Sequence, residues 1–274
     1  MGGKSLHASW ISPYIPSNIK TYVEVFGGAM WIYWESDKVP VETNVYNDFN
    51  RHLVNVYACG SSDPVHFKEV LETYYMDLHN PELFIEYRDE VFSIYGTDFI
   101  IPDYPLAAKY MLLQLQTYVG GNNLTKDSKI YIETKHKPKF HIFTEKFEAR
   151  KYLKKLDRLT VENLDCREVI NKYDSENTFF YIDPPYYDLG EKYYTEASFT
   201  HDDHVELLEL MKQTKGRWAL SYYPFDLLEK ILPRDQYAWH EEKTYSNNSP
   251  SEERGKVERT ELLIMNYKTG LSFL

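Results

Sequence analysis

The sequence predicts an α/β fold, with strands and helices alternating at both ends of the chain and a mainly helical insertion between them. Three observations carry this reading. TYVEVF (21–26) alternates like a strand and runs into Gly27-Gly28 and the helix-like AMWIYWE. FFYI (179–182) is a second apolar strand that stops abruptly at Asp183-Pro184-Pro185. Between them, from Asp48 to about residue 115, apolar residues recur at helical rather than strand spacing.

In chain order, Met30, Trp31 and Trp34 begin a helix after the glycine pair, and Asn44 to Tyr46 form a short strand closed by Asn47-Asp48. HLVNVY, FKEVLETYYMDL, ELFIEYRDEVFSIY and PLAAKYMLLQLQTY are helical, punctuated by Pro64, Pro81, Pro102 and Pro105. VGGNNLTKDSK is loop-like, and KIYIETKHKPKF is a short hairpin or ordered loop. A basic amphipathic helix over 145–158 leads to the strand LTVENLD and the helix REVINKY. After the 179–182 strand and a Tyr-rich loop, Thr200 with Asp203 three residues on marks a capped helix start. RWALSYY is a strand, FDLLEKIL a helix and RTELLIMNY a late strand. The expected division is a catalytic domain of residues 1–55 and 150–274, with residues 56–149 as the insertion.

Composition narrows the class. With 274 residues, 43% hydrophobic and 27% charged, the chain suits one folded domain carrying an insertion. No apolar run of spanning length and no signal-peptide core is present, and Cys59 and Cys166 are too few for a disulfide scaffold or zinc cluster. A cytoplasmic location is expected, without membrane or metal. The net charge of −11 argues against a polyanion partner only on average, because residues 126–158 hold eleven Lys or Arg against five acids. That is a local +6, against −17 for the remainder. A basic segment of this kind fits phosphate binding, and Lys126, Lys129, Lys135, Lys137 and Lys139 are its candidate contacts; a solvated basic helix has the same composition.

Chemistry concentrates at three places. The strand–Gly27-Gly28–helix element can bring backbone close to a ligand at a helix start, although it lacks a full glycine fingerprint. Asp48, 20 residues beyond Gly28 at the end of the next strand, stands where an acid accepts ribose hydroxyls in nucleotide-binding sheets. At Asp183-Pro184-Pro185-Tyr186 a carboxylate, donor-free carbonyls and an aromatic ring meet at a strand end. An exocyclic amine on a base is a poor nucleophile, because its lone pair is delocalised into the ring. Two acceptors aimed at its N–H groups hold that lone pair toward an electrophile, and a tyrosine can stack on the ring. That chemistry requires a base taken out of its stack. His201-Asp202-Asp203-His204 is read as the capped helix start rather than a metal site.

GGK (2–4), YVEVFGGAM (22–30), VYND (45–48), FFYIDPPYY (179–187) and ELLIMNY (261–267) together resemble the D12-class, Dam-type N6-adenine DNA methyltransferases. The resemblance covers both ends of the chain in order and fades in the middle. It implies a Rossmann-like S-adenosylmethionine-dependent sheet with a target-recognition insertion, acting on adenine N6 of double-stranded DNA by base flipping. By motif match it implies that Lys4, Glu24, Phe26, Gly27, Asp48, Asp165 and Asp183 line the cofactor site, Asp165 at the cofactor adenine. Asp183 and Tyr186 would be catalytic, with Pro184 supplying a carbonyl. Val25 stands where the family commonly has Pro, and the family's aromatic residue four positions before the lysine falls ahead of Met1; both bear on cofactor affinity. The rival readings are the same fold acting on cytosine N4, RNA adenine or a protein amide, a silent DNA-binding relative, and a dinucleotide oxidoreductase. The recognition sequence, the biological role (phage, restriction-modification or regulatory) and the choice between monomer and weak dimer are not written in these residues.

Overall fold

A computed structural model of the chain describes residues 4–75, 80–116, 150–187, 199–246 and 257–269. Seven strands form one sheet: β1 (Thr21–Glu24), β2 (Thr43–Asn47), β3 (Leu159–Glu162), β4 (Thr178–Ile182), β5 (Arg217–Tyr222), β6 (Ala238–Ser246) and β7 (Val257–Met265). Their order is β3-β2-β1-β4-β5-β7-β6. Strands β1 to β5 pair in parallel, and β7 runs antiparallel to both of its neighbours. This is a mixed α/β sheet of the Rossmann-like kind. The chain leaves β1 to build β2 and β3 on one side, then returns to place β4 on the other. The switch point between β1 and β4 is where such sheets open a crevice at their carboxyl ends.

Parallel strands covered on both faces read as continuous apolar runs, which explains Phe179-Phe180-Tyr181-Ile182. Phe179 and Tyr181 join a core with Tyr22, Tyr33, Tyr46, Leu263 and Met265. Phe180 and Ile182 join the opposite core with Val23, Val45, Trp218, Leu220, Leu262 and Ile264. The first face is covered by α1 (Ala8–Ile11) and α2 (Trp31–Glu35), and the second by α8 (Cys166–Tyr173) and α9 (His201–Gln213). Each fully buried Phe or Leu contributes about 1.5–3 kcal/mol of transfer free energy.

Between β2 and β3 lie α3 (Arg51–Ser62), α4 (Pro64–Tyr75), α5 (Pro81–Ser93), α6 (Tyr104–Gln116) and α7 (Arg150–Leu156). The first four enclose a separate apolar cluster around Phe67, Phe84, Leu112 and Leu113. Residue 56, the expected start of the insertion, lies within α3. The last helix, α10 (Leu228–Ile231), is much shorter than the FDLLEKIL pattern predicts. Thr200 and Asp203 form the expected reciprocal cap on α9.

Two features depart from the sequence reading. AWHEEKTYS forms β6, a nine-residue edge strand that the charged run His240-Glu241-Glu242-Lys243 disguises. Charges suit a strand whose outer edge has no neighbour to pair with. Lys155, part of the basic segment, is turned inward: its ammonium donates to the carbonyls of Tyr33, Trp34 and Ser36. It thereby caps the last turn of α2, where the helix dipole favours a cation. No described helix is long and apolar enough to cross a membrane.

Candidate active site

The registers of β1, β2 and β4 are level, with Glu24 paired to Tyr46 on one side and Tyr181 on the other. The segments leaving these strands therefore converge. Gly27 passes so close to β2 that a Cβ there would lie 2.3 Å from the Tyr46 ring and 2.9 Å from the Asn47 carbonyl. Its N–H donates to that carbonyl at 2.7 Å, so only glycine fits. Gly28 takes φ +48°, and a Cβ built on it meets nothing within 4 Å. Met30, also left-handed at φ 55°, closes the turn into α2.

Asp48 holds this turn. Its Oδ2 accepts the Gly28 N–H at 2.8 Å and its Oδ1 the Asn50 N–H at 2.8 Å. Burial pushes its carboxyl pKa up, against those two donors. Each carboxylate oxygen retains a further lone pair, which can receive a ligand hydroxyl. Asn163 donates to the Asp48 carbonyl at 2.8 Å and ties in the loop after β3.

Glu24 faces inward, 2% exposed, where Tyr22 OH donates to Oε1 at 2.6 Å and the Tyr33 N–H at 3.0 Å. Burial raises its pKa to about 8, so it is largely neutral at neutral pH. Phe26 packs edge-on against Phe199 with centroids 5.7 Å apart. Asp165 caps α8 and binds Arg167, whose Nε and Nη2 reach its two oxygens at 2.8 Å. The Arg167 hydrogen bonds hold the Asp165 carboxyl below its ordinary pKa.

Beyond β4, the missing N–H groups of Pro184 and Pro185 end the ladder and release Asp183 into a charged cluster. Lys4, 6% exposed, touches Asp183 Oδ1 at 3.2 Å and also contacts Glu261 Oε1 and the Tyr186 hydroxyl. Tyr186 OH lies 3.4 Å from Asp183 Oδ1 and 3.2 Å from Glu261 Oε1. Asp183 Oδ2 has no partner among the described residues, and the side chain keeps 23% exposure, enough to be reached. Burial raises the Asp183 pKa and Lys4 opposes the shift; Glu261 follows the same pattern. Burial works to lower the Lys4 pKa, but attraction to Asp183 and Glu261 outweighs it and keeps the ammonium charged. When both acids are ionised the cluster carries one excess negative charge.

The Tyr186 ring lies against Tyr223 with centroids 4.1 Å apart, and Tyr222 OH is 3.4 Å from the Pro185 carbonyl. The neighbouring Tyr187 points elsewhere, stacked on Phe225 at 5.1 Å.

The structure thus brings Lys4, Asp183, Pro184 and Tyr186 together at one end of the sheet, near the turn formed by Phe26, Gly27 and Asp48. Glu24 and Asp165 are engaged by protein partners at the same end. Lys126, Lys129, Lys135, Lys137 and Lys139 lie outside the described residues. Sequence reasoning missed Glu261 and Tyr223. Glu261 had a signal, an acid opening the buried run LLIM, whereas Tyr223 had none beyond its place after a strand. Among the described residues no cluster of His, Cys, Asp or Glu can hold a metal ion.

Comparison with known proteins identifies the family. The family model for D12 class N6 adenine-specific DNA methyltransferases matches residues 1–248. Type II methyltransferase M1.LlaDCHI of Lactococcus lactis subsp. cremoris is 24% identical over 97% of this chain and 93% of its own length. Type II methyltransferase M.CviBI of Paramecium bursaria Chlorella virus NC1A is 25% identical over 97% of each. M.MjaIII of Methanocaldococcus jannaschii, also a type II methyltransferase, is 24% identical over 97% and 96%. With its motifs in order and the family matched over nine-tenths of its length, the chain belongs to the D12 class of N6-adenine-specific DNA methyltransferases.

Proposed function

We propose that the chain transfers a methyl group from S-adenosylmethionine to N6 of an adenine flipped out of double-stranded DNA. The observation that carries this reading is Asp183 at the switch point of the sheet, held through Oδ1 by Lys4 and Tyr186 while Oδ2 has no partner among the described residues. The residues fit the cofactor. Open space beside Gly28 and spare lone pairs on Asp48 suit a nucleoside, and the negative Asp183–Lys4–Glu261 cluster suits a sulfonium cation. Gly27, Asp48, Phe26 and Asp165 would hold the nucleoside, with Glu24 shaping the floor and Lys4 fixing the acid.

S-adenosylmethionine supplies an activated methyl group. Asp183 Oδ2 accepts one N–H of the adenine amine and the Pro184 carbonyl the other, which directs the nitrogen lone pair out of conjugation. N6 would take the methyl group from the bound donor, which leaves as the neutral thioether, and Asp183 would take the proton that N6 then sheds, directly or through water. The Tyr186 ring, exchanging Tyr223 for the base, supplies the stacking face. The helices from α3 to α6 and residues up to 149 would form the target-recognition insertion, and the basic lysines between 126 and 139 would contact phosphate.

Incubating the protein with S-adenosylmethionine and unmethylated DNA, digesting the product and weighing nucleosides tests this. Wild type should yield N6-methyladenine and Asp183→Ala none above background. Methylcytosine instead, or product from the mutant, would overturn the assignment.

A further inference from the structure

The acid of the cluster that no step of the chemistry uses is Glu261, and it lies deeper than Asp183. It is 1% exposed and sits midway along β7, on the face covered by the N-terminal segment, where Leu263 and Met265 follow it. A buried carboxylate costs several kcal/mol unless it is compensated, so an apolar residue would be the cheaper occupant of that face. Directly opposite in the β6–β7 hairpin stands Glu242. His7 lies between the two, with Nδ1 at 2.5 Å from Glu242 Oε2 and Nε2 at 3.9 Å from Glu261 Oε2.

The donor count explains what Glu261 does. An ammonium has three N–H groups. Lys4 has three acceptors around it: Asp183 Oδ1, Glu261 Oε1 and the Tyr186 hydroxyl oxygen. With Glu261 present, one donor goes to Asp183. With Glu261 uncharged, the whole lysine charge would fall to Asp183, and the pair would close into an ordinary salt bridge.

We propose that Glu261 is a positioning residue for Asp183, acting through Lys4: by sharing the lysine charge it keeps Asp183 an open, electron-rich acceptor for the substrate amine. This rests on the methyl-transfer reading above and adds a residue to it. A charge balanced in this way strengthens the hydrogen bond that Asp183 offers, whereas a fully neutralised carboxylate would be a weak acceptor. The titratable and charged groups facing the cluster are Lys4 and His7 from the N-terminal segment, Glu24 from β1, Tyr181 from β4 and Tyr186 after it. Tyr223 follows β5, and Glu242 faces it from β6.

The test is Glu261→Gln, which keeps the shape and removes the charge, beside Glu261→Asp, which keeps the charge. The Asp183 carboxyl is titrated by carbon-13 NMR in the cofactor-free protein, and kcat, KM for DNA and thermal unfolding are measured alongside. Glu261→Gln should lower the Asp183 midpoint by about one pH unit, equivalent to a tenfold change in proton affinity. The acid limb of kcat should move with it, and kcat should fall about tenfold with KM for DNA little changed. Glu261→Asp should leave the midpoint near that of wild type. An unchanged Asp183 midpoint in Glu261→Gln would overturn the proposal, as would a loss of kcat explained wholly by unfolding. Because the titration needs no turnover, it reads the Lys4-sharing arrangement even if wild type fails to methylate adenine. That failure would count against the methyl-transfer reading instead.

Discussion

At the scale of single residues, buried ionisable groups set how stability depends on pH. His52, 2% exposed, is stacked on Tyr95 at 5.0 Å and Tyr110 at 5.1 Å. Neither ring nitrogen has a hydrogen-bond partner among the described residues, and burial lowers the pKa to about 4. Its unfolded counterpart protonates near 6.5, so the unfolded state binds more protons between those values and stability falls as pH drops through them. Glu24, with its pKa raised to about 8, acts in the opposite sense: the folded state binds more protons, and stability is lost as pH rises from about 4.5 toward 8. The two partly cancel in wild type, so the informative quantity is a difference. His52→Phe, which keeps the stack, should stabilise the protein relative to wild type by about 3 kcal/mol more at pH 4 than at pH 7. Urea titrations at both pH values measure it, and a pH-independent difference would show that His52 does not titrate as described. Nothing in the sequence announces this histidine, because its ring is packed by Tyr95 and Phe99 beyond α5 and Tyr110 in α6, all more than 40 positions away.

At the scale of elements, the turn from β1 to α2 joins the fold to the site. Its two glycines serve different ends: Gly27 is required by crowding and Gly28 by its positive φ. Gly27→Ala forces Tyr46 or the backbone to move and should cost about 1–3 kcal/mol, comparable to other overpacking substitutions. It should also weaken S-adenosylmethionine binding through the displaced turn. Gly28→Ala meets open space and should cost only the left-handed conformation, about 1–2 kcal/mol. Calorimetric binding and thermal unfolding of both variants decide the matter; equal behaviour in the two would contradict the separate roles.

The same scale shows what could be read in advance. β4 was legible as an apolar run and β1 by its alternation, and the ends of β1, β2 and β4 were marked by Gly, Asp or Pro. The Thr200 cap was legible because its two partners are three residues apart. β6 was hidden because an edge strand can carry charge on consecutive positions. The glycine turn, Asp48 and Asp183 could be picked out singly, but the Glu261–Lys4 contact joins residues 257 positions apart. Only the hairpin of β6 and β7, folding β7 in beside β5, brings them together.

At the scale of the whole molecule, the charge is arranged rather than averaged. Outside residues 126–158 the chain carries −17, so the remainder repels a polyanion and the basic segment is the part of the sequence that attracts one. Not all of that segment is available, because Lys155 is committed to the carbonyls at the end of α2. On the proposed reading the phosphate contacts fall to the remaining cations, among them Lys135, Lys137 and Lys139 at alternate positions. If each neutralises one phosphate, changing one to Gln should reduce the slope of log K against log salt by about 0.9, and changing all three by about 2.7. Charge reversal to Glu should weaken binding further, equally for DNA with and without the recognition sequence, because phosphate contacts carry no base information. By contrast, Lys155→Gln should leave the salt slope unchanged and lower thermal stability, since it removes a buried cap and no phosphate contact. Fluorescence anisotropy on a labelled duplex between low and moderate salt separates the two classes. A slope unaffected by the triple change would place the DNA on another face. A slope reduced by Lys155→Gln would mean that α2 and the DNA compete for the same ammonium.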